Sequence, residues 1–238
     1  GVNRPPPGSE VGMPMCEFVA VDYHYPAPDT DQAVLVLDAV NLCLETGEHL
    51  AIVGPSGAGK STLIDLMLGF DPPTRGRISI EGVPLAEVDL AAWRSRIGWV
   101  QQDPFLIAGT VLDNVRLGSV GADRSSVVST LELVGAGELV ERLDTVVGER
   151  GAGLSHGERR MISLARAIVR DPDLLLLDEP TAGVDTETQV RIAAAFPQIA
   201  AGRTVVTVAH QRILVDLADR VVRIDRGRIV APTPGDPR

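Results

Sequence analysis

The sequence predicts an α/β fold in which strands alternate with helices around a mostly parallel sheet. Two apolar runs support this, DLLLLD (173–178) and RTVVTVAH (203–210), because a strand buried on both faces of a parallel sheet is a continuous hydrophobic run. The third observation is a helical pattern between about residues 103 and 167. We therefore expect an α/β domain with a mostly helical insertion.

The remaining elements follow from local composition and periodicity. Strands are predicted where β-branched residues and partial alternation occur, at 16–25, 33–44, 49–54, 77–80 and 96–100. A helix is predicted from near Lys60, where apolar residues recur at helical spacing. The segment 219–230 is predicted to form a closing hairpin, and Pro197 is expected to kink or end the apparent helix 186–200.

Composition limits the domain organisation. The 238 residues are enough for one large domain or for a core domain with a subdomain. We predict a flexible linker at 1–15, an ordered domain at 16–230 and a flexible tail at 231–238, because both ends are rich in Pro and Gly. No run of about 18 apolar residues is present, so no membrane-spanning segment is expected in this sequence.

The charge of the chain argues against one class of partner. The net charge of −10 is unfavourable for non-specific binding to nucleic acid, so no nucleic-acid partner is expected. The same charge would repel a nucleoside triphosphate, which would therefore need a local positive site and a metal ion. The two cysteines show no metal-ligand spacing and are expected to be reduced thiols.

The segment GPSGAGKST (54–62) contains the only lysine among the 22 basic residues. It fits the pattern G-x-x-x-x-G-K-[ST] between a predicted strand and a predicted helix, where backbone N–H groups form a nest for phosphate oxygens. Lysine suits this position because it is a compact charge on a flexible stem. A chance glycine-rich turn is the alternative. The residues predicted to hold a triphosphate are Gly54, Pro55, Ser56, Gly57, Ala58, Gly59, Lys60, Ser61 and Thr62.

A second motif, LLLLDEP (174–180), places Asp178 and Glu179 at the carboxyl end of a predicted buried strand. Ligands gather at that edge of open α/β sheets. Asp178 is predicted to help Ser61 hold Mg²⁺, and Glu179 is predicted to accept a proton from the attacking water. The alternative is two solvated carboxylates at the end of a strand.

The segment LSHGERRMISLARAI (154–168) resembles the LSGGQ signature of ATP-binding cassette (ABC) ATPases. The resemblance covers about residues 17–230, and the motifs occur in the family's order. It implies a P-loop NTPase (RecA-like) core with a mostly parallel sheet, an antiparallel β subdomain and an inserted α-helical subdomain at about 103–167. It also implies Mg²⁺-dependent binding and hydrolysis of ATP.

The resemblance assigns further roles by position. Tyr25 sits where the family stacks an aromatic ring on adenine, with a residue packed in a sheet as the alternative. Gln102 matches the glutamine that binds the metal and acts in catalysis, with a solvated loop residue as the alternative. His210 matches the histidine that holds the γ-phosphate and positions water with Glu179. The alternative is a histidine in the core whose hydrogen bonds are satisfied there.

The resemblance also implies partners. Two such domains stack head to tail, so that Ser155 and the backbone around Gly157 contact the γ-phosphate bound by the partner domain. A transmembrane domain of the same transporter is expected as the second partner. The chain is accordingly expected at the cytoplasmic face of the inner membrane, as part of an integral membrane transporter.

Two residues depart from the signature. His156 replaces its first glycine and Glu158 replaces its glutamine. A bulky imidazole and a negative charge beside a phosphate are both unfavourable, so the ATP site that this signature completes is expected to turn over slowly. The site built on Lys60, Glu179 and His210 contains all its expected groups. This mismatch favours a heterodimer with two unequal sites over a homodimer.

The subfamily is suggested by VGERG (147–151) and FLIAGTVLDNV (105–115), which resemble exporters. DEPTAGVD, with proline after Glu179, resembles the paired thiol exporters that move cysteine and glutathione. Two other classes compete: a soluble ABC ATPase acting on DNA or the ribosome, disfavoured by the net charge, and a non-enzymatic regulatory cassette, disfavoured because Glu179 is present.

Overall fold

The computed structural model describes residues 13–26, 33–209 and 211–231, so most of the predicted linker and all but the first residue of the predicted tail lie outside the described residues. The strands are β1 Cys16–Tyr25, β2 Val34–Leu44, β3 His49–Val53, β4 Arg75–Ile80, β5 Val83–Pro84, β6 Ile97–Val100, β7 Gly109–Thr110, β8 Val146–Val147, β9 Leu174–Asp178, β10 Thr204–Val208, β11 Arg220–Asp225 and β12 Arg228–Val230. The helices are α1 Lys60–Met67, α2 Leu90–Ser95, α3 Val111–Arg116, α4 Arg124–Leu133, α5 His156–Ile168, α6 Thr186–Ala200 and α7 Arg212–Val215. Short 3₁₀ helices lie at Leu85–Glu87, Gly137–Arg142 and Glu149–Gly151.

The chain divides into two compact units. The first contains Gly1–Ser95 and Ala218–Arg238, and the second contains Arg96–Leu217. The first unit has an antiparallel sheet of order β2-β1-β4-β5 and a second group of strands of order β12-β11-β3. β11 and β12 form the predicted closing hairpin.

In the first unit, β3 leads into the glycine loop and α1. β3 is buried along its whole length and runs parallel to β11, as an apolar run in a parallel sheet should. The carboxyl end of α1 is fixed by α2, because the Trp93 indole N–H donates to the Met67 carbonyl at 2.8 Å and the Arg94 Nε donates to the Leu68 carbonyl at 2.9 Å. These bonds satisfy carbonyls that the end of a helix leaves unpaired.

In the second unit, β10, β9 and β6 lie side by side and parallel, with β9 in the middle. All five residues of β9 are buried, which confirms the prediction from LLLLD. The helices α3, α4 and α5 pack around one hydrophobic core, so the predicted helical character of the middle of the chain is confirmed. The α/β class and the antiparallel sheet implied by the resemblance are confirmed as well.

One half of the prediction about helix α6, that Pro197 ends it, is wrong. Pro197 does not end this helix, which continues to Ala200. Proline has no backbone N–H, so one carbonyl in the preceding turn loses its hydrogen-bond donor. Pro197 is exposed and lies in the last turn of the helix, so water can donate to that carbonyl instead. Among the described residues, no helix combines the length and the apolar character that crossing a membrane requires.

Candidate nucleotide site

The loop before α1 has the conformation that the glycines of GPSGAGK predict. Gly59 occupies the N-cap of α1 with φ of 104°, in the left-handed region, and a Cβ there would lie 2.7 Å from the Leu37 side chain. Gly54 has φ of 151°, and a Cβ would overlap the carbonyl oxygen of Ile224. The loop therefore needs glycine both for backbone conformation and for close packing on β11.

Lys60 is almost completely buried, with 6% of its surface exposed, at the first position of α1. Its ammonium group donates to the carbonyls of Gly54 and Pro55, at 2.9 and 2.8 Å. The Lys60 side chain therefore curls back over the loop instead of extending into solvent. Residues 55–57 at the crest of the loop are exposed. A positive charge, a helix N-terminus and an accessible loop backbone together form an anion site.

Tyr25 ends β1 next to the same helix. Its hydroxyl lies 3.3 Å from the Thr62 Oγ1, and its ring is 40% exposed. The Tyr23 ring packs edge-on against it at 5.0 Å between ring centroids. An exposed ring held from one side can stack on a flat ligand. The Ser61 side chain is exposed at the start of α1.

In the second unit, the acidic motif lies at the carboxyl end of β9. Asp178 is buried, and Glu179 has an unusual φ of 49°, which its backbone N–H maintains by donating to the Val208 carbonyl at 2.9 Å. Gln102 follows β6, the strand parallel to β9 on its other side, so it leaves the sheet at the same edge as the two acids. The structure therefore brings together Gln102, Asp178 and Glu179 at one strand edge.

The signature segment begins α5, and Ser155 is its N-cap. The Ser155 Oγ accepts from the Glu158 backbone N–H at 3.1 Å, and the Glu158 carboxylate accepts from the Ser155 N–H at 2.7 Å, forming a capping box. Arg142 forms an ion pair with the same carboxylate. Burial raises the pKa of Glu158, but the Ser155 N–H and the Arg142 guanidinium outweigh it and hold the pKa below its usual range. The Glu158 carboxylate is therefore directed at the N-terminus of its own helix, and Arg142 neutralises its charge.

The other departure from the signature, His156, packs against the loop that follows β9. Its imidazole lies so close to Gly183 that a Cβ there would be 3.1 Å from Nε2. Gly157 packs tightly on α6, where a Cβ would lie 2.8 Å from the Thr188 Oγ1. Asp185 caps α6 by accepting from the Thr188 N–H at 2.9 Å, and this bond lowers the Asp185 pKa. His210 lies outside the described residues.

The sequence reasoning assigned no role to Arg160, which lies in α5. Its guanidinium is 2% exposed and donates to the carbonyls of Gln101, Gln102 and Ala182 at 2.9, 2.8 and 3.3 Å. It therefore touches the segment carrying Gln102 and the loop after Glu179. The only sequence signal was an arginine on the apolar face of a predicted helix.

These two sets of groups define a class of protein. A glycine loop with a buried lysine at a helix N-terminus binds phosphate, and carboxylates ending a central parallel strand provide oxygen ligands and a base. The α/β fold and both sets of groups are those of a phosphate-loop nucleoside triphosphatase.

The comparisons with known proteins identify the family. Residues 37–182, more than half of the chain, match the family model described as ABC transporter. The chain is 40% identical over 215 residues to YknV of Bacillus subtilis, an uncharacterized ABC transporter ATP-binding protein, covering 89% of this chain and 35% of that protein. It is 40% identical over 228 residues to the mycobactin import ATP-binding/permease protein IrtB of Mycolicibacterium smegmatis, covering 94% and 38%.

A solved structure gives the same result. The chain superposes with a TM-score of 0.83 and 33% identity on a bacterial Atm1-family ABC exporter with ATP bound, covering 97% of this chain and 40% of that one. The chain belongs to the ABC transporter family and is an ATP-binding domain of that family, an ATPase. It spans only 35–38% of the length of the relatives named above.

Proposed function

We propose that this chain drives an exporter-type membrane transporter by binding and hydrolysing ATP at the residues described above. The observation that supports this most directly is Lys60, buried at the start of α1 with its ammonium group over the glycine loop. In this proposal the loop and Lys60 bind the β- and γ-phosphates, and Tyr25 stacks on the adenine. Ser155 and Gly157 bind the γ-phosphate held by a partner domain.

The chemistry of hydrolysis is assigned to the second unit. Gln102 and Asp178 of this unit provide amide and carboxylate oxygens, and Ser61 of the first unit provides a hydroxyl oxygen. These are the hard donors that Mg²⁺ prefers, so the three residue types fit that ion. When bound, Mg²⁺ supplies charge neutralisation on the phosphates. Glu179 accepts the proton of the attacking water, and His210 orients that water.

One experiment separates binding from hydrolysis. Lys60→Ala should weaken ATP binding by about 10–100-fold, because hydrogen bonds to a charged group contribute about 1.5–3 kcal/mol. Glu179→Gln should retain ATP affinity but slow hydrolysis by about 10²–10⁴-fold, roughly 3–5 kcal/mol of barrier. Calorimetric titration with ATP and phosphate release measure the two effects. Wild-type affinity in Lys60→Ala would exclude the phosphate role.

We further propose a heterodimer with unequal ATP sites. The support is His156, whose imidazole stands where the signature has a glycine and packs against Gly183; the Glu158 charge is paired with Arg142 and does not add to this argument. His156→Gly should raise the hydrolysis rate of the site that this signature completes in the assembled transporter. An ATP-dependent symmetric dimer of this chain alone, with two equal hydrolysis rates, would contradict the heterodimer.

We propose a docking surface for the transmembrane domain on the first unit. An apolar groove of about 380 Å³ lies beside the end of α1, where Phe70 is 48% exposed and the Arg94 guanidinium lies 5.2 Å from its ring centroid. The proposed occupant is a segment of the membrane domain of the same transporter, since more than half of IrtB, an ATP-binding/permease protein, lies outside the matched length. In this proposal the chain lies at the cytoplasmic face of the inner membrane.

The groove is tested in the full transporter. Phe70→Asp should abolish transport while the isolated chain keeps its ATP affinity, because Phe70 is exposed beyond the carboxyl end of α1 and the phosphate loop lies at the opposite end of that helix. Val120→Asp, at an exposed valine of the other unit, is the matched control and should transport normally. Unchanged transport by Phe70→Asp would exclude this docking surface. Glutathione uptake into inverted vesicles tests the thiol-substrate hypothesis.

A further inference from the structure

Arg160 is a guanidinium enclosed in the second unit. All of its described partners are backbone carbonyls: Gln101 at 2.9 Å, Gln102 at 2.8 Å and Ala182 at 3.3 Å. Among the described residues it forms no ion pair with a carboxylate, and its Nε has no hydrogen-bond partner. A buried cation without a paired anion is costly, and such groups are often retained for function.

The three carbonyls belong to two segments that carry proposed active residues. Gln101 and Gln102 are consecutive, so holding both oxygens fixes the peptide between them and the direction in which the Gln102 side chain leaves the backbone. Ala182 lies three residues after Glu179, and its own N–H donates to the Glu179 carbonyl at 3.0 Å. One rigid fork of donors on α5 thus fixes both segments relative to the signature helix.

The charge of Arg160 also acts on this edge of the sheet. Burial lowers its pKa, whereas the nearby charges of Asp103, Glu179 and Asp178 raise it. The guanidinium therefore lies within electrostatic reach of the acids that end β9, although it bonds to neither. Arg160 thus has the position of a residue that lies behind the proposed metal ligands and contacts one of them, Gln102. Such a residue orients the ligands without binding the ion itself.

We infer that Arg160 is a positioning residue that fixes the Gln102 backbone and the loop after Glu179, and thereby tunes the affinity for the divalent cation. This inference rests on the proposed role of Gln102 as a metal ligand. Residues behind metal ligands typically change metal affinity by about 10–100-fold when they are mutated. A role in packing alone would lower stability without that change.

The same helix offers a matched control in Arg166. Its Nε and Nη1 donate to the carbonyls of Asn114 and Phe105 at 2.8 and 2.6 Å. Burial lowers its pKa too. Its loss should also cost stability, because the two carbonyls would lose their donors. Arg166 contacts neither Gln102 nor Ala182, and therefore should not affect metal affinity.

The experiment compares Arg160→Met, Arg160→Lys and Arg166→Met in the complete chain with saturating ATP. Free Mn²⁺ is measured by electron paramagnetic resonance, and thermal unfolding is followed in parallel. We expect Arg160→Met to weaken Mn²⁺ binding about 10–100-fold, Arg160→Lys to weaken it less, and Arg166→Met to leave it unchanged at a comparable loss of melting temperature.

The outcomes are distinguishable. Equal Mn²⁺ affinity in Arg160→Met and wild type, or equal weakening in the Arg166 variant, overturns the inference. Should Arg160→Met not fold, Arg160→Lys decides, since wild-type Mn²⁺ affinity in that variant would overturn the inference too. A wild-type chain whose ATP complex binds no Mn²⁺ would instead refute the proposed metal site, which is a separate failure.

Discussion

The ion pair between Glu158 and Arg142 gives a prediction that joins stability to the unusual signature. Glu158→Gln removes the charge but keeps a side chain that can complete the capping box with Ser155. Arg142→Met removes the partner and leaves the carboxylate. The double variant completes a thermodynamic cycle that isolates the interaction between the two side chains.

The magnitude follows from the exposure of the pair. The Arg142 side chain is 39% exposed and the Glu158 side chain 17%, so solvent screens the attraction on one side. We expect a coupling of about 0.5–1.5 kcal/mol, above the usual surface pair because the hydrogen bond is charge-assisted. In a domain of this size each kcal/mol shifts the melting temperature by about 2–4 °C.

The pH dependence has a defined sign. The pKa of Glu158 is lowered in the folded chain, so the ion pair stabilises the fold above the unfolded value of 4.5. That contribution is lost as the pH falls through the folded pKa, and Glu158→Gln should remove this part of the acid destabilisation. Urea unfolding at pH 7 and pH 4 measures both effects. If Arg142→Met costs as much in the Glu158→Gln background as in the wild type, the pair makes no coupling and the reasoning fails.

Two other predictions concern packing. Gly54→Ala should destabilise the first unit by about 2–4 kcal/mol, because the new Cβ overlaps the Ile224 carbonyl, whereas Gly57→Ala has open space and should cost about 1–2 kcal/mol for its φ of 75° alone; urea unfolding that ranks the two equally would contradict this. Asn114→Ala should cost about 2–4 kcal/mol, since the fully buried amide accepts from the Ile107 N–H at 3.0 Å and donates to the carbonyls of Ile107 and Thr110. Unchanged proteolysis of residues 105–110 in that variant would show that the amide does not hold the loop.

The parts of the fold that the sequence predicted well are those with local signals. The apolar run that becomes β9, the helical spacing after Lys60 and the turn chemistry of GPSGAGK each depend on neighbouring residues, and the structure reproduces them. The hairpin of β11 and β12 was predictable for the same reason. Pro197 misled the prediction because its exposure, which tertiary packing decides, determines whether a helix tolerates it.

The parts that escaped prediction depend on contacts distant in sequence. Arg142 and Glu158 are 16 residues apart, and Arg160 reaches carbonyls 58 and 59 residues earlier in the chain. Sequence periodicity does not indicate that an arginine on the apolar face of a helix will donate hydrogen bonds to backbone carbonyls. Strands of two residues, such as β7 and β8, are too short to show a periodic pattern that could be recognised in the sequence. The motif residues could be predicted from the sequence, but the residues that hold them in place could not.

The distribution of arginine and lysine in this chain now has a physical explanation, and it makes a final prediction. Arg160 holds several carbonyls at once with a planar fork, while Lys60 places a single compact charge inside a tight glycine ring. Exchanging the two types should fail in both directions. Lys60→Arg should weaken ATP binding by about as much as Lys60→Ala, because the fork does not fit the ring, and Arg160→Lys should not restore full Mn²⁺ affinity. Wild-type ATP affinity in Lys60→Arg would show that charge alone, and not shape, accounts for the only lysine in the sequence.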